Sequence, residues 1–229
     1  MIHMRNVCKV YEDTGAVALD HVDVDIVKGE FVFIVGASGA GKSTFIKMLF
    51  REELPSSGEL IVNGHDVVNM ERSEVPYLRR GLGVIFQDYR LLADKTVFEN
   101  VAFAMQVIEA PRRTMQRSVN AVLDVVGLRD KYRSFPSQLS GGEQQRVAIA
   151  RAIVNSPSIV IADEPTGNLD PETSWDIMDI FHRINQSGTT IVMATHDKNI
   201  VDTMQRRVIA IEDGKIVRDE ARGVYGYEA

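Results

Sequence analysis

The segment at residues 36–43 contains the residue types that bind a polyphosphate. It reads Gly-Ala-Ser-Gly-Ala-Gly-Lys-Ser, matches the pattern G-x-x-x-x-G-K-[ST] and is followed by Thr44. Glycines allow the backbone to wrap around phosphates with its N–H groups pointing inward at the start of a helix. Lys42 is expected to neutralise the β- and γ-phosphates, and Ser43 to offer its hydroxyl to Mg²⁺. The predicted phosphate-binding residues are Gly36, Ala37, Ser38, Gly39, Ala40, Gly41, Lys42, Ser43 and Thr44.

Two carboxylates, Asp163 and Glu164, follow the apolar segment at residues 159–162. The first acid at the end of such a strand holds Mg²⁺ in P-loop proteins that hydrolyse nucleotides. A second acid beside it can polarise the attacking water. Alone, this pattern fits a solvated acidic turn about as well. Together with the segment at 36–43, it favours a hydrolytic metal site.

The elements around these motifs alternate between strands and helices. Phe31–Val35 is a continuous apolar run and predicts a strand buried on both faces of a parallel sheet. A strand before the glycine-rich segment and a helix after it disfavour a chance glycine-rich turn. Helices are predicted at 42–50 and 171–184, strands at 22–26, 59–62, 83–86, 158–163 and 189–195, and a hairpin at Asp213-Gly214. The alternation implies an α/β core with an α-helical insertion.

The insertion is predicted between residues 88 and 157, where apolar residues recur at helical spacing over 96–108 and 112–126. Gly127 is expected to end the second of these helices. The insertion has 10 basic and 7 acidic residues, whereas the rest of the chain has 16 basic and 25 acidic. A solvated helix surface explains this excess. A docking face for a partner or an anionic membrane surface is the sharper alternative.

Length and composition exclude several classes of protein. The 229 residues suit one domain, and the net charge of −6 disfavours a DNA-coating protein. The one cysteine, Cys8, permits no intrachain disulfide, and neither it nor the histidines show the spacing of a nucleophilic or metal site. Apolar runs fall short of the roughly 18 to 20 residues that span a bilayer, and the first residues lack the apolar core of a signal peptide. We expect a soluble intracellular protein.

Residues 139–146, Leu-Ser-Gly-Gly-Glu-Gln-Gln-Arg, resemble the signature sequence of ATP-binding-cassette ATPases. The order of one P-loop, one signature and one acidic strand matches the family, and the resemblance covers essentially the whole chain. It implies an α/β fold of the P-loop NTPase type with a RecA-like core sheet. It also implies an antiparallel β subdomain and an α-helical subdomain that bears the signature. We expect one nucleotide-binding domain over 1–229, with 88–157 as the helical subdomain.

The resemblance implies roles for four more residues. Tyr11 would stack on adenine, and Gln87 would sense Mg²⁺ and the attacking water. Asp170, in the sequence Asn-Leu-Asp, belongs to a loop that communicates across a dimer. His196 would contact the γ-phosphate. Tyr11 in ordinary surface packing and a structural His196 are the alternatives, although the position of His196 after an apolar strand favours a ligand crevice.

The resemblance further implies that two copies pack head to tail, with each ATP between the P-loop of one copy and the signature of the other. Ser140, Gly141 and Gly142 of the second copy would then donate to the γ-phosphate. Ser43, Gln87 and Asp163 would position Mg²⁺. Glu164 would be the general base of ATP hydrolysis, with Gln87 and His196 assisting.

Segments 86–92, 96–101 and 163–170 are similar to a bacterial subgroup of cell-division, lipoprotein-release and macrolide-exporter ATPases. The Arg-Leu-Leu at 90–92 and the tail ending at 225–227 look most like the cell-division members. This implies a polytopic membrane partner, a peripheral position on the inner face of the cell membrane and a role in controlling cell-wall hydrolases. Residues 89–92 and 97–105 are candidates for docking, with core packing as the alternative. An exporter engine remains open, whereas a soluble cassette acting on nucleic acid or ribosomes is disfavoured by the acidic charge.

Overall fold

The structure is a computed structural model and describes residues 1–226. In this range the strands form two sheets. An antiparallel sheet has the order β2-β1-β4-β5 and consists of β1 (Ile2–Tyr11), β2 (Ala16–Ile26), β4 (Ser57–Val62) and β5 (His65–Asp66). A second sheet consists of β3 (Phe31–Val35), β6 (Leu82–Ile85), β7 (Ile159–Asp163), β8 (Thr190–Ala194), β9 (Arg207–Glu212) and β10 (Lys215–Glu220).

The second sheet has the order β10-β9-β3-β8-β7-β6 and is parallel except for the β9–β10 hairpin. Its β3 strand is buried along its whole length, as the continuous apolar run predicts. Phe31, Phe33 and Val35 face one hydrophobic core, whereas Val32 and Ile34 face the other. The sheet therefore lies between two cores, with the ends of β3, β7 and β8 along one edge.

Seven helices are described: α1 (Lys42–Leu49), α2 (Val75–Arg80), α3 (Val97–Gln106), α4 (Arg112–Val125), α5 (Gly141–Ile153), α6 (Pro171–Gln186) and α7 (Lys198–Met204). Of these, α3, α4 and α5 pack against one another. Gly127 follows α4 with a φ of 69°, the left-handed conformation expected after a helix end. The predicted α/β fold, with its antiparallel sheet and its signature-bearing helices, is confirmed.

Several elements were not predicted from the sequence. These are β1, β5, α2 and α7, which are short or irregular in pattern and depend on tertiary contacts. The hairpin at Asp213-Gly214 is confirmed, with positive φ at both residues (46° and 78°) between β9 and β10. Tyr227, at the end of the tail that resembles the cell-division ATPases, lies outside the described residues.

Candidate nucleotide-hydrolysis site

The glycine-rich segment joins the end of β3 to the start of α1. Gly36, Gly39 and Gly41 have φ values of 147°, 82° and 111°, in a region that favours glycine. A Cβ at Gly36 would also collide with the backbone carbonyl of Ile211, and one at Gly41 with that of Ala18. Gly41 caps α1 without any side-chain hydrogen bond. The first N–H groups of α1 are therefore left for an external acceptor, as an anion-binding helix start requires.

Lys42 lies almost buried inside this segment. Its Nζ donates to the carbonyl oxygens of Gly36 at 2.8 Å and of Ala37 at 3.0 Å. The ammonium group is thus held inside the curve of the backbone by the loop itself. This placement brings a positive charge to the same side as the open N–H groups of α1, so that both would act on one phosphate group.

A cleft of about 610 Å³ opens on the P-loop. Tyr11 lies at its wall, and its hydroxyl is 3.1 Å from the Oγ1 of Thr44. The Nζ of Lys9 is 5.0 Å from the Tyr11 ring centroid. The structure therefore brings Tyr11 together with the phosphate-binding segment. The residues that line the cleft are Tyr11, Ala16, Val17, Ala18, Ser38, Gly39, Gly41, Lys42, Ser43, Thr44, Glu164 and His196.

Ser43 and Asp163 meet where α1 begins and β7 ends. Burial raises the pKa of the Asp163 carboxyl, while a hydrogen bond from Ser43 and the charges of Lys47, Lys42 and Arg90 act in the opposite direction. Burial is the largest of these influences, so the pKa lies above its ordinary value. A hydroxyl and a carboxylate side by side are hard oxygen donors of the kind that Mg²⁺ prefers.

Glu164 and His196 form a contact at the mouth of the cleft. The Oε2 of Glu164 is 2.7 Å from Nδ1 of His196 and accepts from its backbone N–H at 3.3 Å. Glu164 has a φ of 49°, a left-handed conformation that is uncommon outside glycine, and its own N–H donates to Ala194 at 2.9 Å. The Glu164 side chain is 16% exposed and that of His196 is 64% exposed. Strained backbone of this kind is concentrated at functional sites.

Gln87 lies against the loop that follows Glu164. Its side-chain nitrogen packs on Gly167, and its backbone carbonyl oxygen accepts from the side-chain amide of Asn168 at 3.4 Å. Gln87 does not belong to the lining of the P-loop cleft among the described residues. The structure therefore brings Gln87 to the acidic loop.

The signature residues lie at the start of α5. The Oγ of Ser140 accepts from the N–H of Glu143 at 3.2 Å, and the Glu143 carboxylate accepts from the N–H of Ser140 at 2.8 Å. Gly141 lies close to the hydroxyl of Tyr89, and Gly142 lies against the methyl group of Thr173. Within the part of the chain that is described, the signature does not line the P-loop cleft.

Asp170 caps α6 next to the signature. Its Oδ1 accepts from the N–H of Thr173 at 2.9 Å, and its hydrogen bonds with Thr173 lower the pKa of its carboxyl. Like the signature, it is absent from the lining of the P-loop cleft in residues 1–226. The predicted residues therefore form two groups on one chain, one around the P-loop and one around the starts of α5 and α6.

A cluster on the antiparallel sheet was not predicted from the sequence. Cys8 on β1 faces Asp20 and His21 on β2 at a shift in strand register, and their potential ligand atoms lie within 4.8 Å of one another. Spacing along the chain does not reveal such a register shift. The Asp20 carboxylate contacts the His21 ring and the Lys215 ammonium. These contacts already occupy the cluster, and we assign no site to it.

A groove of about 790 Å³ separates α2 from α3 and α5. In the candidate docking segment 97–105, Val101 and Met105 are buried in the core, whereas Phe103 is 45% exposed and lines the groove. Core packing therefore explains most apolar residues of this segment. Val107, which is exposed, and five arginines also line the groove and were not predicted as docking residues. The arginines are Arg51, Arg72, Arg79, Arg80 and Arg151.

Known proteins show the same architecture. A sequence profile of the ABC transporter family matches residues 19–167. The chain is 59% identical over 228 residues to a cell division ATP-binding protein FtsE of Streptococcus pneumoniae, covering 100% of this chain and 99% of that protein. It is 58% identical over 226 residues to the FtsE of Bacillus subtilis, with 99% of each chain covered.

A solved structure of a dimeric ATP-binding cassette, in a post-hydrolysis state bound to ADP and Pi, superposes with a TM-score of 0.88. It is 33% identical, and the match covers 99% of this chain and 100% of that one. In residues 1–226, none of the helices has the length and apolar character to cross a membrane. With a P-loop, an acidic strand and a signature in this arrangement, the chain belongs to the ABC transporter family of ATP-hydrolysing cassettes, in the branch of the cell-division ATP-binding proteins.

Proposed function

We propose that two copies of this chain pack head to tail, hydrolyse ATP between them and drive an FtsX-like polytopic membrane protein that regulates cell-wall hydrolases in division. The observation that carries the proposal is the separation of the two residue groups on one chain. The P-loop cleft contains Lys42, Glu164 and His196, while Ser140 lies outside its lining. A second copy would supply the signature.

In this proposal Glu164 is the general base. It removes a proton from the attacking water while the water oxygen bonds to the γ-phosphorus, and the bond between that phosphorus and the ADP oxygen breaks. The contact with His196 orients the Glu164 carboxylate toward the cleft. Lys42 and the N–H groups at the start of α1 stabilise the charge on the phosphoryl oxygens. Tyr11 provides the adenine platform, and Asp170 connects this chemistry to the second copy.

Ser43, Asp163 and Gln87 are the residues that would hold Mg²⁺. The support is the oxygen donor set at Ser43 and Asp163, since the Ser43 hydroxyl lies beside the Asp163 carboxylate where α1 begins and β7 ends. Gln87 lies next to the same acidic loop through Gly167 and Asn168. The cation would neutralise charge on the phosphates when bound.

The groove beside α3 is where the membrane partner would dock. Its lining combines apolar residues, with Phe103 and Val107 exposed, and five arginines. Exposed apolar patches of this kind mark interaction sites. The chain would thereby reach the inner face of the cell membrane through its partner. Residues 88–157 would form the helical subdomain that carries both this docking face and the signature.

The Glu164→Gln variant tests the catalytic half of the proposal. The amide keeps the shape of the side chain but cannot accept the proton, so the turnover of ATP should fall by at least about a hundredfold. ATP binding should persist, and gel filtration with ATP should show a dimer. Wild-type turnover in this variant would remove Glu164 from the role of base.

Capture from bacterial membranes tests the proposal that this chain binds an FtsX-like membrane protein. The tagged wild-type chain should retain a polytopic FtsX-like protein, identified by mass spectrometry, and Phe103→Glu should release it. Val217→Glu is the matched control, because Val217 is 45% exposed on β10 and lies outside the groove. Capture of a lipoprotein-release or macrolide-export permease in its place would show that the chain drives a transporter.

A further inference from the structure

We infer that Arg151 is a positioning residue that holds the backbone of residues 88–92 and so fixes Gln87 relative to the acidic loop. The inference rests on the role proposed above for Gln87. Arg151 lies in the last turn of α5, on the helix that begins with the signature. One of its guanidinium nitrogens donates to the carbonyl of Arg90 at 2.6 Å, and another donates to the carbonyl of Tyr89 at 2.8 Å.

The backbone that Arg151 holds is strained. Tyr89 and Arg90 have φ values of 58° and 47°, so two consecutive residues other than glycine are left-handed. Each such residue is energetically unfavourable and persists only where its surroundings hold it. The two hydrogen bonds from Arg151 end on the carbonyl groups of these two residues. This match indicates that Arg151 maintains the conformation.

The strained residues are tightly connected to Gln87. The N–H of Tyr89 donates to the carbonyl of Phe86 at 3.3 Å, and the N–H of Arg90 donates to that of Asp88 at 2.6 Å. The guanidinium of Arg90 lies 3.6 Å from the ring centroid of Phe86. Gln87 therefore lies inside a closed turn, and a change at residues 89 and 90 displaces it.

Stability alone is a poor reason for an arginine at this position. Burial lowers the pKa of Arg151, and no carboxylate lies within ion-pair distance of it in residues 1–226. Arg151 is half-buried, and taking a charge partly out of water without an opposite partner is costly. Its side chain donates to the backbone of Tyr89 and Arg90, and the same side chain lines the groove beside α3. One residue thus touches the groove, the turn around Gln87 and the signature helix.

The test compares ATP hydrolysis by four variants of the full chain. Arg151→Ala should lower kcat by about ten- to a hundredfold, as expected for a misplaced catalytic group, with the KM for ATP unchanged within about twofold. Arg151→Lys should recover part of kcat, since one ammonium group can reach one of the two carbonyls. Gln87→Ala should lower kcat similarly. Arg117→Ala, an exposed arginine of α4, is the control and should behave as wild type.

The double variant Gln87→Ala with Arg151→Ala decides between the possible results. If Arg151 acts through Gln87, the second substitution adds no further loss of kcat. Additive losses, or a rise in KM in place of a fall in kcat, would overturn the inference. Unchanged kcat in Arg151→Ala beside a reduced kcat in Gln87→Ala would also overturn it, while leaving the proposed function intact. Unchanged kcat in Gln87→Ala alone would refute the proposed role of Gln87.

Hydrogen exchange provides a measurement that does not depend on activity. Arg151→Ala, or Arg151→Lys if the alanine variant does not fold, should speed amide exchange in residues 88–92. Exchange in β6, which directly precedes this turn, should stay unchanged. Uniformly faster exchange across the helical region would indicate a merely structural role and would contradict the inference.

Discussion

The P-loop and the signature are both glycine-containing helix starts, and they differ in how their backbone groups are satisfied. At the P-loop, Gly41 caps α1 with no side-chain hydrogen bond. At the signature, Ser140 and Glu143 satisfy each other's backbone N–H groups in a capping box. The P-loop therefore has no side-chain acceptor at its helix start, whereas the signature helix start has two of its N–H groups, those of Ser140 and Glu143, satisfied by its own side chains.

This difference indicates that the two helix starts have different roles. An open helix start suits the site that binds the nucleotide on its own, because an incoming phosphate completes its hydrogen bonds. A self-capped start keeps its shape without the nucleotide and suits a surface that one copy presents to another. The P-loop would therefore set the affinity of a single chain for ATP, and the signature would act only when two chains meet.

The largest expected contrast is between Lys42→Ala and Ser140→Arg. Loss of the Lys42 ammonium removes a charge held inside the P-loop, so the affinity of dilute, monomeric protein for an ATP analogue should fall by at least about a hundredfold. Ser140→Arg should leave that affinity unchanged and abolish hydrolysis, because the long side chain blocks the approach of the second copy. Fluorescence titration and a phosphate-release assay measure the two effects, with exposed Lys28→Ala as the control.

If Ser140→Arg weakened nucleotide binding by the monomer, the signature would belong to the same site as the P-loop. Unchanged affinity in Lys42→Ala would remove the assigned role of the ammonium. Either result would contradict the proposal that the P-loop binds ATP in a single chain and the signature acts only when two chains meet.

Glycine substitutions distinguish the two regions by what surrounds them. A Cβ at Gly142 would meet the methyl group of Thr173, whereas one at Gly36 would meet the backbone carbonyl of Ile211. Gly142→Ala should lower the free energy of unfolding by about 1–3 kcal/mol. Adding Thr173→Ser should restore much of it, because serine lacks that methyl group. No side-chain change at Ile211 should rescue Gly36→Ala, and urea denaturation compares all of these variants.

The local structure of the P-loop could be predicted from the sequence, whereas the contacts of Gln87 and Arg151 could not. The pattern at 36–43 predicted a strand, a loop and a helix, and Phe31–Val35 and Lys42–Leu49 confirm them. Such a motif is local, so its structure follows from adjacent residues. The position of Gln87 beside Gly167, and the contact of Arg151 with residue 90, join segments that are distant along the chain. Periodicity and spacing do not contain that information.

The buried polar side chains of the two regions also differ. Thr190 in the parallel sheet is fully buried, and its hydroxyl accepts from the N–H of Gly29 at 2.9 Å. Gln145 on the signature helix is equally buried, yet neither end of its amide has a hydrogen-bond partner among the described residues. Gln145→Met should therefore raise the free energy of unfolding by about 1–2 kcal/mol, because it removes buried polar atoms that form no hydrogen bond in the folded chain.

Gln144→Met is the matched control for this stabilisation. Gln144 is the neighbouring residue, and its amide donates to the carbonyl of Leu139 at 3.2 Å. Its replacement should give no gain in thermal or urea stability. A loss of stability in Gln145→Met would show that the Gln145 amide has a partner in the folded chain, and the two regions would no longer differ in this respect.

The smallest expected effect concerns the capping box itself. Ser140→Ala should lower the free energy of unfolding by about 1 kcal/mol, since the side-chain acceptor for the N–H of Glu143 is lost. Thr96→Ala removes the same kind of cap from α3, where Thr96 and Glu99 form a matching box, and should cost about as much. Only Ser140→Ala should also slow hydrolysis, because in the proposed dimer Ser140 would face the second copy and Thr96 would not. An equal loss of hydrolysis in Thr96→Ala would mean that the signature acts through the stability of the helices and not through contact with ATP.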